Sequence, residues 1–175
     1  MKGTFKTALK VVLAVTILGL AAVSAYAAAY TKLKELPGPD ARNAMVYFHG
    51  WKSSKAQLWD GEFPIGTYRS GTTGACIPYL ARPGAHTFVA RSTNYAHIKM
   101  NLQANRIYYV RIEHVSIAVP TVVKIYQITK DEEESYRKRW NIKDISFTDE
   151  WREKFLAYKD GKWLKEMKEA LTKMR

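Results

Sequence analysis

Apolar and polar positions along this chain change rhythm twice. From Val11 to Val23 the residues are uncharged and rich in Val, Leu, Ile and Ala, without alternation. From Ala44 to Ile128 apolar residues come in short runs separated by turn chemistry, the mark of strands. From Asp131 onward apolar residues recur at spacings of three and four, the mark of amphipathic helices.

The middle regime predicts an all-β unit. Met45–His49 is rich in Tyr and Phe and stops at Gly50. Ala56–Trp59 and Glu62–Gly66 flank Asp60-Gly61, a pair that permits positive φ at both central positions of a type I′ hairpin. Residues 67–74 read as a loop. Ala75–Leu80 is a strand that Pro78 pushes toward an edge or a bulge. Arg82-Pro83-Gly84-Ala85 is a turn into His86–Ser92. Ile98, Met100 and Leu102 alternate with His97, Lys99, Asn101 and Gln103, which predicts a half-buried strand. Asn105 stands where the chain turns into Ile107–Glu113, and Asn tolerates the left-handed conformation. Val122–Ile128 follows Pro120. Short runs at this spacing predict an immunoglobulin-like antiparallel β-sandwich, or a small barrel, rather than βαβ units.

The tail reads as helices. Asp131–Glu134 and Arg137–Arg139 put acid first and base last, complementing a helix dipole up to Asn141. Thr148 is a candidate N-cap, followed by Asp149 and Glu150. Trp151, Phe155 and Tyr158 form one stripe, Gly161 a stop, and Trp163, Met167, Ala170 and Met174 a second stripe widened by Leu164 and Leu171. Three readings of this aromatic stripe stand side by side. It folds back on the β unit, it meets a protein partner or a second copy, or it lies on a membrane surface.

The first regime is an export signal. Lys2, Lys6 and Lys10 precede the apolar run, and Ala25-Tyr26-Ala27 gives a small-x-small cleavage site. The expected organisation is a signal peptide over 1–27 with an N-terminal signal helix, a linker over 28–43 turning at Leu36-Pro37-Gly38-Pro39-Asp40, a β-sandwich domain over 44–130 and an amphipathic helical tail over 131–175. The alternative is a retained inner-membrane anchor, since Val11–Ala29 carries no charge. Either way the remainder leaves the cytoplasm, for the periplasm or the extracellular side.

Four pieces of the β unit carry a family resemblance: the Asp60-Gly61 hairpin, Pro83-Gly84-Ala85-His86 with Phe88, the amphipathic strand to Leu102, and Tyr108-Tyr109. In this order residues 44–128 resemble exported bacterial β-sandwich domains of unknown function, often borne on lipoproteins. Asn105 stands near a place where members often carry Gly, and no cysteine stands just after the apolar run to take a lipid. The resemblance implies a fold and an envelope location, and no activity.

Charge narrows the partners. The chain of 175 residues has a formal charge of +12, which invites a nucleic-acid reading. Its distribution argues otherwise. Residues 28–130 hold 13 basic and 5 acidic residues, whereas residues 131–175 hold 12 and 11. The excess lies on an exported β unit, which predicts no nucleic acid. An anionic envelope polymer or lipid fits such a surface, or the charge serves solubility alone.

Residues for chemistry are sparse. His49, His86, His97 and His114 have no metal-ligand spacing, and Cys76, the single cysteine, sits in an apolar flank as a buried small residue. His86 is expected to bond a loop backbone. Gly71 and Gly74 lack the lysine of a phosphate loop. The five acids of the β unit supply no carboxylate pair for hydrolysis. No cofactor, metal or catalytic residue is expected. The candidate surface is aromatic and basic: Trp51, Lys52, Lys55, Trp59 and Arg69, beside His49 and Tyr68, with Trp151, Phe155 and Trp163 of the tail. The chain is expected to be a non-enzymatic binding or assembly module of the envelope, or a membrane-anchored accessory subunit.

Overall fold

The computed structural model describes residues 30–50, 56–68, 74–115, 122–157 and 161–174. The expected signal segment, 1–27, lies outside them. The described fold is mainly β, with ten strands in two sheets and three helices. The strands are β1 (Tyr30–Lys32), β2 (Ala44–Gly50), β3 (Ala56–Asp60), β4 (Phe63–Tyr68), β5 (Ala75–Ala81), β6 (Gly84–Arg91), β7 (Tyr95–Leu102), β8 (Ile107–Val115), β9 (Val122–Ile128) and β10 (Lys143–Phe147). The helices are α1 (Lys130–Trp140), α2 (Asp149–Ala157) and α3 (Lys162–Lys173). No described helix is long and apolar enough to cross a membrane.

One sheet runs β1-β10-β5-β2-β8-β9, the other β4-β3-β6-β7. They share a core in which Phe48 of β2 meets Phe88 of β6 edge-on, with ring centroids 5.0 Å apart. The expected wholly antiparallel pairing is corrected: β2 pairs with β8, and β10 with β5, in parallel. Parallel neighbours need long crossovers. Between β2 and β8 the chain builds all of the second sheet, and between β5 and β10 it builds β6 to β9 and α1.

Several local expectations hold. Met100 and Leu102 are buried while His97, Lys99 and Asn101 are exposed. Asn105 adopts φ 57° at the β7–β8 turn. The hairpin differs in detail. Asp60 pairs with Phe63, so the two-residue loop is Gly61-Glu62, and of these only Gly61 has positive φ. A type I′ turn needs both.

The tail is not helical throughout. Lys143–Phe147, which the helical reading left without an element, is a strand in the six-stranded sheet. Tyr30–Lys32, within the expected linker, pairs with it. Thr129 and Glu132 form a reciprocal capping box at the start of α1, and Asn141 ends it at φ 44°. The Thr148 hydroxyl accepts from the Trp151 N–H at 3.2 Å, as an N-cap should.

Helices cover both outer faces. Phe88 and Val89 are neighbours in β6 and therefore point to opposite faces, yet both are fully buried. Phe88 faces the other sheet, and α2 and α3 cover the opposite side. Trp59 meets Phe155 at 5.6 Å, Phe155 meets Trp163 at 4.8 Å, and Arg91 pairs with Glu166. On the far side α1 covers His49 and Arg111, which point away from the core shared by the sheets.

Candidate functional site

The aromatic stripe of the tail is interior. Trp59 is fully buried, Trp151 and Phe155 are each 9% exposed, and Trp163 packs against the same cluster. These four therefore cease to be a free partner surface. Their partner is the four-stranded sheet and β10, where Phe147 and Trp151 stand 4.4 Å apart. Trp51, Lys52, Lys55 and Arg69 lie outside the described residues, as does Tyr158.

The groups with most chemical potential are consumed internally. Under α1, three neighbouring strands set Cys76, His49 and Arg111 side by side. Glu133 lies 3.4 Å from His49 Nε2 and also pairs with Arg137, which bonds Asp144 through two nitrogens at 2.9 and 3.1 Å. Burial works against the Arg137 charge, but these carboxylates outweigh it. Burial first, then Arg137 and Arg111, pull His49 down to about 3, so the imidazole is neutral. Its contact with Glu133 is thus not an ion pair, and neither ring nitrogen has a well-formed hydrogen bond. Burial pushes the Cys76 thiol well above its ordinary range, with Arg137 opposing and Asp144 and Glu133 adding. A neutral thiol beside a neutral imidazole beneath a helix is not an activated nucleophile.

A second cluster buckles the hairpin to β5 and β6. His86 Nδ1 lies 2.7 Å from Asp60 and its Nε2 lies 2.8 Å from the Arg82 carbonyl, which is the loop-backbone bond expected of it. The Tyr79 hydroxyl donates to the same Asp60 oxygen at 3.0 Å. Burial, reinforced by Asp60, raises that hydroxyl far out of its ordinary range. Among the described residues no group of three His, Cys, Asp or Glu could hold a metal.

Among the described residues a gap opens in the six-stranded sheet. On one side β5 pairs with β2 along its whole length. On the other it pairs with β10 only at Ala75 and Cys76, after which β10 leaves to pair with β1. The split leaves an opening of about 510 Å³, walled by Pro78, Tyr79 and Leu80 on one side and by Ser146, Phe147 and Leu33 on the other. The Pro37-Gly38 segment, without turn geometry of its own, lines one end, held by the Tyr47 hydroxyl on the Pro37 carbonyl at 2.6 Å. Phe63 and Arg152 close the inner end. Leu80 and Phe63 are 47% and 44% exposed, among the largest apolar exposures described. The Arg152 guanidinium lies 5.4 Å from the Phe63 ring centre and is 18% exposed. Its Nη1 donates to Asp149, itself 91% exposed, and its buried Nε has no acceptor.

Sequence reasoning missed this site. Pro78 was the one available signal. A proline cannot donate to a ladder, and it falls just beyond the last residue that β10 pairs. No family model matches the chain, and no curated protein matches it.

Proposed function

We propose that the chain is an exported, non-enzymatic binding module of the cell envelope, and that its partner seats in the opening between β5 and β10. The observation that carries this reading is the opening itself. It combines exposed Leu80 and Phe63 with the Arg152 guanidinium, whose carboxylate partner Asp149 is almost fully in water. Export rests on residues 1–27. The two-sheet core supports, as part of the same reading, an immunoglobulin-like sandwich related to the exported family that residues 44–128 resemble, with two parallel strand pairs as its departure.

The test is a photo-crosslinking amino acid placed at Leu80, with the exposed Lys99 on β7 as control, in cells that export the protein. A crosslink to an envelope component at Leu80 and none at Lys99 is the expected result. Equal labelling at both positions, or none at Leu80, overturns the reading. The intact mass of the exported protein decides between a free module, which has lost 27 residues, and the accessory subunit anchored by its first segment.

A further inference from the structure

Resting on that reading, we infer that the occupant of the opening is an extended polypeptide segment of another protein, which adds as a strand along β5 and presents an acidic side chain to Arg152. Three observations meet here. First, the walls are strand edges. Among the described residues, Ile77–Leu80 and Ile145–Phe147 have strand partners on their far sides only. Backbone groups at such an edge are a template for another chain. Second, the rims are apolar on both faces of the sheet, because side chains alternate along a strand. Leu80 and Leu33 serve one face, and Phe63, Tyr79 and Phe147 the other. An added strand fills both sets at once, whereas a compact small molecule meets one. Third, the inner end carries a cation. Arg152 lines the opening, and its carboxylate partner Asp149 is almost fully in water, where an ion pair contributes little.

The chain's own leader does not meet the third requirement, since residues 1–29 contain no Asp or Glu. Asp40, on the outer rim, is already occupied by the Asn43 amide and the Arg42 N–H, so it does not neutralise the inner end. Strand addition supplies affinity through main-chain hydrogen bonds, and Arg152 supplies the choice of residue.

The experiment selects a random dodecapeptide display library on the full exported protein, with counter-selection on Leu80→Asp. Leu80 is exposed, so this variant keeps the fold, which circular dichroism verifies. Enriched peptides are expected to share one acidic residue within an alternating apolar stretch. Replacing that residue by its amide, or making Arg152→Gln, should weaken binding about tenfold. Bound peptide should slow amide exchange at Leu80 and Phe147, whose N–H groups face the gap. Failure to enrich any peptide, peptides without an acid, or equal binding to Leu80→Asp each overturns the inference. So does a concentration-dependent dimer of the protein alone that Leu80→Asp dissolves, because the occupant is then a second copy. A specific Leu80 crosslink in cells without selected acidic peptides leaves the binding reading standing and removes strand addition. Absence of the crosslink removes the reading itself.

Discussion

His49 should make this protein acid-labile in a defined window. The ring is 3% exposed and faces Glu133 and Arg137 from α1, Arg111 from β8 and Cys76 from β5. In the unfolded chain it titrates near 6.5, and in the fold it is held neutral down to about 3. Above 6.5 neither state is protonated and its contribution to stability is fully present. As pH falls toward 3 the unfolded state takes a proton that the fold refuses, and stability drops by about 1.4 kcal/mol per pH unit. Between the ordinary value and about pH 4.5 the loss attributable to this ring is roughly 2–3 kcal/mol. Glu133, at 3.4 Å, moderates the effect by favouring the imidazolium. The comparison is urea unfolding of the wild type and His49→Leu at about pH 7.5 and about pH 4.5. His49→Leu deletes two buried nitrogens that lack hydrogen bonds, so near pH 7.5 it should match the wild type within about 1 kcal/mol. At the lower pH it should exceed it by roughly 2 kcal/mol. Carboxylates such as Glu132 and Asp40, whose hydrogen bonds lower them, titrate equally in both proteins and cancel in the difference. Parallel loss of stability in the two proteins would refute the reasoning.

Three further substitutions probe the packing. Gly50→Ala places a methyl group 2.3 Å from the Tyr68 ring, which cannot swing away because its hydroxyl is tied to the Phe48 carbonyl at 2.7 Å. Overpacking should cost about 1–3 kcal/mol in chemical denaturation, and an unchanged midpoint contradicts the packing. Phe155→Ala removes the ring shared by Trp59, Trp151 and Trp163 and should cost about 3–5 kcal/mol, with loss of near-ultraviolet dichroism from the tryptophans; a free-hanging tail would show neither. His86→Leu removes both ring-nitrogen bonds of the hairpin buckle and leaves Asp60 with Tyr79 alone, which should lower stability by about 1–3 kcal/mol. Thermal melts indistinguishable from wild type would mean that the buckle carries no load.

Much of the fold was legible because it is written locally. Period-two burial from Ile98 to Leu102, the left-handed Asn105, the Thr148 cap and the acid-to-base gradient of α1 each depend on neighbours a few residues away. Strand direction is not local. The parallel pairing of β2 with β8 follows from where the chain returns after building a second sheet, and no run of residues encodes it by itself. The stripe of Trp151, Phe155 and Trp163 illustrates the same limit. Its periodicity states that the face is buried, not against what, and its covering surface is β3, β4 and β10 of the same chain.

The site escaped notice for a related reason. Aromatic and basic types clustered in sequence suggest a binding surface, but a packed domain uses large aromatics first for its own core, as Trp59 shows. The opening depends instead on a change of partner. β10 starts beside β5, then crosses to β1, and its two halves obey different neighbours. Lys143 and Asp144 are held to β5, and Asp144 also to Arg137 of α1; Ile145, Ser146 and Phe147 follow Tyr30–Lys32 instead. Pro78, having no N–H, offers β10 no ladder bond where the two strands part. The exposed edge is a product of three segments far apart in the chain, each unremarkable alone.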